Sequence, residues 1–338
     1  MTNDEVLKRC QEAVPAWRGM STSDFHFDSP KGFSSFTMGV RAKVDVTPSA
    51  VLYRHLAGKE NAILDFESER QVFLLLGRNN IAADCLRYSD DYRVEQFFSG
   101  RTLRAGDVFD PAVQRGIAHE LYRLHQLRPD GLPEATFFEL LHEKWGSMAR
   151  HVLGPARSEF PPDEQAMCLE LQTIHSQETL TKVMRCLPDT PPVFCHNDTY
   201  HGNVFQLDDG TIKLLDFEFS CLNHIAFDFA NLFAETVMEH GLADPPHFRI
   251  EEPRFTNADF ASLIGFYLDN EPTADPQERS VKLDRLVAET RRAVMLSDYM
   301  YAMAALPLSL EPIQKIRFIP YAHQRYTKFL DAWDREFS

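Results

Sequence analysis

The sequence predicts an α+β chain in two lobes, a small N-terminal lobe with an antiparallel sheet and a larger, mainly helical C-terminal lobe. Three observations predict it. Residues 25 to 56 alternate in character and carry breakers such as Pro30 and Gly32, as short strands joined by turns do. From Asp110 onward apolar residues recur at helical spacing over most of the chain. Between these helical stretches lies Val193 to Glu235, where the residues able to do chemistry concentrate. The lobe boundary is expected near residues 97 to 103. This gives one domain over 1–98 and a second over 99–338.

In chain order, Val6, Leu7, Cys10, Ala13, Val14 and Trp17 fall on one helical face, so residues 4 to 18 are expected as an amphipathic helix. Val51-Leu52-Tyr53-Arg54 reads as a strand ending in a cation. Residues 65 to 77 read as a helix whose inner side carries Phe66, Phe73 and Leu76. Glu69, four residues before Phe73, shares that face. Val94 to Phe98 reads as the last strand of the small lobe, running into a hinge broken by Ser99-Gly100.

In the large lobe, Val113, Ile117, Leu121 and Leu124 predict a helix over 110 to 127, opened by Asp110-Pro111. Further helices are expected over 137–153, 165–186, 257–267, 282–306 and 313–337. No internal repeat or low-complexity tract interrupts them.

The central stretch has a definite spacing. His196-Asn197-Asp198 is followed, five residues after Asp198, by Asn203, and the apolar run Thr211 to Leu215 then delivers Asp216-Phe217. An Asp, an Asn five residues on and a strand-borne Asp-Phe have the spacing of a kinase catalytic loop and its metal loop. Transfer of a γ-phosphoryl group requires a carboxylate near the attacking hydroxyl, the place for Asp198. It also requires magnesium, a hard cation that prefers oxygen ligands, the place for Asn203 and Asp216. A rival reading takes His196, Asp198 and His201 as hydrolase metal ligands, but it leaves Asn203 and Asp216 without a use. Cys195 reads as a small buried hydrophobe rather than a nucleophile.

These residues resemble the choline/ethanolamine kinase family, within the aminoglycoside-phosphotransferase-like group of protein-kinase-like folds. The resemblance rests on His196-Asn197-Asp198, Gly202-Asn203, Asp216-Phe217-Glu218-Phe219-Ser220, Asn223, Phe227-Asp228 and Glu235 at matching intervals. It implies ATP and Mg2+ as cofactors, a small amino-alcohol acceptor, and a place in phospholipid synthesis. It also implies nucleotide contacts. Gly32, Ser34 and Ser35 would form a phosphate-covering turn, Arg54 with Glu69 as partner would hold phosphates, and Glu95 and Phe97 would lie at the adenine hinge. Asp228 would brace the catalytic loop, and Glu235 would face the acceptor's amine.

One departure bears on the acceptor. The family places two tryptophans in the long helix after a serine; aligned on Ser297, this chain has Tyr301 and Ala304, and Thr236 where a further Trp is usual. Aromatic faces stabilise quaternary ammonium groups. The remaining aromatics are Tyr301, Tyr299, Phe219 and Tyr321, which leans the expectation to ethanolamine. Tyr200 and His201 also replace polar residues usual in the family loop. The alternatives are a kinase for another small hydroxylated acceptor and a non-catalytic nucleotide-binding scaffold.

Composition sets outer limits. The 35 basic and 50 acidic residues give a net charge of −15, which disfavours nucleic acid and anionic membranes as partners. Six scattered cysteines without a close pair suit reduced thiols in the cytoplasm. Neither a secretory signal nor a membrane span is expected, and a homodimer is compatible with the resemblance.

Overall fold

The computed structural model describes residues 1–28, 36–56, 63–272, 275–311 and 316–337. The chain divides into two units, 1–101 with 207–210, and 102–206 with 211–338.

In the first unit, α1 (Asn3–Ala13) opens on a capping box. Thr2 Oγ1 accepts from the Glu5 N–H at 3.3 Å, and Glu5 Oε2 accepts from the Thr2 N–H at 2.7 Å. The helix is shorter than its apolar periodicity suggests. Val14 is extended ahead of Pro15, a residue that disfavours helix at its predecessor, and Pro15–Trp17 forms a separate 3-10 turn.

The sheet follows: β1 (Phe25–Phe27), β2 (Thr37–Ala42), β3 (Ala50–His55), β4 (Cys85–Tyr88) and β5 (Tyr92–Gln96). All pairings are antiparallel, in the spatial order β1-β2-β3-β5-β4. One face buries Val40, Val51, Tyr53, Tyr92 and Val94 against Val6, Leu7, Cys10 and Trp17. Between β3 and β4, α2 (Phe66–Arg78) starts at Asp65, whose carboxylate accepts from the Ser68 N–H at 2.9 Å. Its buried side carries Glu69, Val72, Phe73 and Leu76, so Glu69 does turn inward. The short strand β6 (Gly100–Thr102) carries the chain from the first unit into the second.

The second unit is mainly helical: α3 (Pro111–His125), α4 (Phe137–Leu153), α5 (Pro162–Glu170), α6 (Gln177–Cys186), α7 (Ile225–Ala234), α8 (Asn257–Leu268), α9 (Pro276–Leu308) and α10 (Phe318–Phe337). The expected helix over 165–186 is two helices, because a 3-10 turn at Leu171–Thr173 intervenes and Ser176 caps α6 by accepting from the Thr179 N–H. The helix expected from 282 starts earlier. Asp275 accepts from the Gln277 and Glu278 N–H groups, with Pro276 in the first helical position.

At 33 residues, α9 is about 50 Å long at 1.5 Å per residue. It packs against α4, α7, α8 and α10. Its partner α7 is buried on every side: Phe227, Phe229 and Phe233 are fully buried, and the Phe227 ring meets Phe138 edge-on at 4.9 Å. Short strands complete the unit. β7 (Val193–Cys195) pairs with β10 (Cys221–Asn223), β8 (Val204–Leu207) with β9 (Ile212–Leu214), and β11 (Met238–His240) with β12 (Phe248–Ile250), all antiparallel. The β11–β12 hairpin and β4 were not anticipated, since three- or four-residue strands with mostly exposed side chains leave little periodic signal. Among the described residues no helix is long and apolar enough to cross a membrane.

Candidate active site

The loop after β7 hangs on one carboxylate. Asp228, in the first turn of α7, is fully buried. Its Oδ2 accepts from the His196 N–H at 2.8 Å and its Oδ1 from the Asn197 N–H at 2.7 Å. His125 of α3 bonds Oδ2 through Nε2 at 3.0 Å and meets the Tyr267 hydroxyl through Nδ1 at 3.0 Å. Burial alone would raise the Asp228 pKa. The His125 hydrogen bond and charge, with His196, outweigh it and hold the carboxyl below its ordinary value. His125, Cys195 and Asp228 lie close together, but these hydrogen bonds account for the cluster. Burial pushes the Cys195 thiol far above its usual range, which disfavours the thiolate that a nucleophile needs.

The next two residues are fixed in turn. His196 Nδ1 accepts from the Asp198 N–H at 3.2 Å, so Nε2 carries the proton and donates to the Leu215 carbonyl at 2.9 Å. Burial lowers its pKa, consistent with a neutral ring. With both ring nitrogens engaged, His196 has no lone pair for a metal, which removes the His196–Asp198–His201 reading. Asn197 adopts a left-handed backbone with φ 66°, a conformation asparagine tolerates. Its amide holds it there: Nδ2 donates to the Phe219 carbonyl at 2.9 Å, and Oδ1 accepts from Asn223 Nδ2 at 2.7 Å.

This frame presents Asp198. Its Oδ2 accepts from Asn203 Nδ2 at 2.8 Å, and its Oδ1 from the Tyr301 phenol at 2.6 Å. The carboxyl is pushed well above the ordinary carboxylate range. Burial comes first and the charges of Asp216, Glu218 and Glu235 add to it, while the Tyr301 bond pulls the other way. Burial and the nearby Asp198 and Glu235 raise the Tyr301 phenol far above its ordinary value, so it remains a donor.

Gly202 is needed for room rather than for an unusual backbone angle: a Cβ there would lie 2.4 Å from the Tyr200 ring. The Asn203 carbonyl accepts from the Leu215 N–H at 2.8 Å, which sets Asp216 one residue beyond that contact, in a left-handed backbone with φ 61°. Because Asn203 spends its N–H2 on Asp198, it keeps its amide oxygen as a ligand atom. That oxygen and the Asp216 carboxylate form an oxygen-only donor set, which suits a hard cation such as Mg2+.

Glu235 follows the end of α7 and is buried, with Oε1 accepting from Arg325 Nη2 at 2.6 Å. Arg325, on α10, is fully buried. It also donates to Asp298 Oδ1 at 2.8 Å and the Tyr321 hydroxyl at 3.2 Å, and its guanidinium lies 5.2 Å from the ring centres of both Tyr301 and Tyr321. Burial raises the Glu235 pKa against the pull of Arg325. Of the aromatics considered for the amine, Tyr299 belongs to the core: it is fully buried, bonds His142 and packs against Phe329. Phe219 is half-buried and lies against Phe137 and Trp145. Thr236 turns its hydroxyl back to the Phe233 carbonyl.

Sequence reasoning missed His125 and Arg325. A charged residue among Tyr321, Ala322, Tyr326 and Phe329 on the buried face of α10 was the available signal for Arg325.

The first unit holds the residues expected at the nucleotide. Gly32, Ser34 and Ser35 lie outside the described residues. Arg54 Nε is 3.5 Å from Glu95 Oε1, whereas Glu69 is bridged to Arg93 at 3.5 Å. Arg54 and Glu69, expected as a pair, thus belong to a four-membered cluster that also holds Glu95 and Arg93, whose Nε reaches Glu95 at 2.5 Å. The reason is position. Arg93 stands directly across the ladder from Arg54, so both cations share the carboxylates on one face. Glu95 sits inside the sheet, opposite Leu52 of β3 and Cys85 of β4; Phe97 lies past the end of β5, beneath the Arg41 guanidinium.

Two substitutions test this framework. Arg93→Met removes the buried cation that Glu69 and Glu95 share and is expected to cost about 3 kcal/mol, read as a lower urea midpoint. An unchanged midpoint would mean the cluster is already solvated. Asp228→Ala strips the acceptor from two backbone N–H groups and His125. It is expected to cost about 2–4 kcal/mol and to abolish turnover, with Asp228→Asn intermediate. Full turnover in Asp228→Ala would show that the loop holds its shape without the brace.

Comparison with known proteins completes the site. The family profile described as choline/ethanolamine kinase matches residues 30–330. Relatives include a choline/ethanolamine kinase of Homo sapiens, 24% identical over 291 residues, covering 82% of this chain and 71% of that protein. Ethanolamine kinase 2 of Mus musculus is 23% identical over 326 residues, covering 96% of this chain and 80% of that one. Among solved structures, a choline kinase from Cryptosporidium parvum superposes with a TM-score of 0.79 at 18% identity, covering 99% of this chain and 96% of its own. An aminoglycoside phosphotransferase superposes with a TM-score of 0.60 at 12% identity, covering 98% and 99%. These likenesses place the α+β fold in the protein-kinase-like group. The chain belongs to the choline/ethanolamine kinase family, phosphotransferases with an alcohol group as acceptor.

Proposed function

We propose that this protein transfers the γ-phosphoryl group of ATP, with Mg2+, to the hydroxyl of a small amino alcohol, and that ethanolamine is preferred over choline. The observation that carries the reading is the fixed Asp198 carboxylate, with Asn203 bonded to it and Asp216 delivered beside Asn203 by the Leu215 backbone contact. The first unit, residues 1–101 with 207–210, binds the nucleotide, and the second carries catalysis and acceptor binding.

Asp198 orients the acceptor hydroxyl and takes its proton as the oxygen attacks in line. Asn203 and Asp216 hold magnesium through oxygen. When bound, the metal offsets the negative charge of the phosphates. Arg54 contacts phosphate oxygens, with its side chain steadied by Glu95, and Phe97 lies at the adenine end.

Glu235 draws the acceptor's ammonium group by charge. The preference for a primary amine is supported by what surrounds Glu235. Arg325 already lies near the Tyr301 and Tyr321 rings, and Tyr299 is in the core. A quaternary ammonium, which relies on aromatic faces, therefore loses more here than a primary ammonium that donates hydrogen bonds. The family relation suggests that the product enters phospholipid synthesis.

Asp198→Ala is expected to lower kcat by at least about 100-fold while ATP affinity, measured calorimetrically, is retained. Near-normal turnover would remove Asp198 from its role. Glu235→Gln is expected to raise the KM for ethanolamine more than the KM for ATP, and the reverse would place Glu235 away from the acceptor. Asp216→Ala is expected to lose the rise in rate that added magnesium gives the wild type; an unchanged magnesium response would contradict its assignment.

A further inference from the structure

Tyr301 was expected as an aromatic wall for the acceptor's amine, yet its hydroxyl makes the contact that matters. The phenol donates to Asp198 Oδ1 at 2.6 Å, while Asn203 Nδ2 donates to Oδ2 at 2.8 Å. A carboxylate held by one donor still turns about its Cβ–Cγ bond. Two donors, one on each oxygen and from elements about a hundred residues apart, fix its plane.

The phenol is itself set from behind. Asn231 Nδ2 donates to Tyr301 Oη at 3.4 Å, and Asn231 Oδ1 accepts from Ser297 Oγ at 2.7 Å. The direction of this chain follows from its end. A carboxylate only accepts, so Tyr301 spends its one proton there. Its oxygen must then accept from Asn231, and Asn231 turns its carbonyl to Ser297. The Ser297 hydroxyl bonds Asn231 at 2.7 Å and reaches Glu235 Oε1 only at 3.3 Å, so Glu235 is held mainly by Arg325 at 2.6 Å. Ser297 and Asn231 are fully buried, and successive hydrogen bonds of one sense strengthen each other.

We infer that Tyr301 is a positioning residue for phosphoryl transfer, aimed by Asn231 and Ser297, which holds the Asp198 carboxylate in the plane that receives the acceptor's hydroxyl proton. Each Asp198 oxygen keeps one lone pair beyond its donor, so the incoming hydroxyl adds to the clamp rather than displacing it. The inference rests on Asp198 as the base of the proposed reaction, but not on which alcohol is the acceptor.

The test compares wild type, Tyr301→Phe, Ser297→Ala and the double variant, using the acceptor on which the wild type is fastest. Failure of the amino-alcohol reading therefore shows in the choice of acceptor and leaves this comparison intact. Tyr301→Phe keeps the ring and removes the donor. Its kcat is expected to fall roughly tenfold to a hundredfold, with both KM values within about twofold of wild type. Ser297→Ala is expected to lower kcat less, and to add nothing in the Tyr301→Phe background, because it acts through the phenol. Wild-type kcat in Tyr301→Phe, or a rise in acceptor KM alone, would overturn the inference and return Tyr301 to a wall of the amine site. An equal loss from Ser297→Ala in both backgrounds would also overturn it. If Tyr301→Phe does not fold, Ser297→Ala decides alone: reduced kcat at unchanged KM supports the inference, and unchanged kcat refutes it.

Discussion

A single buried carboxylate organises the catalytic half of this molecule. Asp228 has no contact with solvent, and its charge is tolerated because the His196 and Asn197 backbone amides and the His125 ring all point at it. The relation runs in both directions. Without Asp228 those amides would be buried donors with no acceptor; without the loop in its observed path, Asp228 would be a buried charge with no partner. Each enforces the other, so the strained left-handed residue Asn197 persists and Asp198 is delivered to one place. The brace starts from α7, and α7 is surrounded by α9 and the phenylalanines of α4, so the rigidity of the site derives from the core of the second unit.

Charge is arranged around Asp198 in a way that explains the buried cation on α10. Burial first, and then the charges of Asp216, Glu218 and Glu235, raise the cost of ionising Asp198, while burial and Asp298 raise that of Glu235. Arg325 offsets that cost on one side, since its guanidinium reaches Glu235 and Asp298 together. On the other side, the oxygen-only donor set of Asn203 and Asp216 suits a hard cation. The geometry is therefore that of a site completed by added positive charge, in keeping with a phosphotransferase.

Much of this was legible in the sequence where spacing carries the chemistry. The interval from Asp198 to Asn203 and the strand that delivers Asp216 depend on local turns, and the structure brings these residues together as the spacing implied. Asp228 as a brace was implied by the family resemblance rather than by spacing, since it meets the His196 and Asn197 amides across more than thirty residues. What could not be read depends on tertiary packing. The resemblance paired Arg54 with Glu69, but it gave no sign that Arg93, across the ladder from Arg54, would bridge to Glu69 as well. Tyr299 and Tyr301, two residues apart on α9, point to different surroundings, one to the core and one to Asp198. His125 and Arg325 reach Asp228 and Glu235 across ninety residues of chain or more, and no pattern within a helix marks which distant group a side chain will meet. The α5–α6 break and the early end of α1 are local features, marked in the sequence by Ser176 and Pro15.

The central claim is that the acceptor's hydroxyl oxygen, not water, receives the phosphoryl group. Phosphorus NMR of a mixture of the protein, magnesium-ATP and ethanolamine tests it most directly, because phosphomonoester and inorganic phosphate give separate resonances. The account predicts a phosphomonoester signal, coupled to methylene protons, that grows in step with ADP. Growth of ADP with inorganic phosphate alone would contradict it, as it would mean that Asp198 serves water rather than an alcohol.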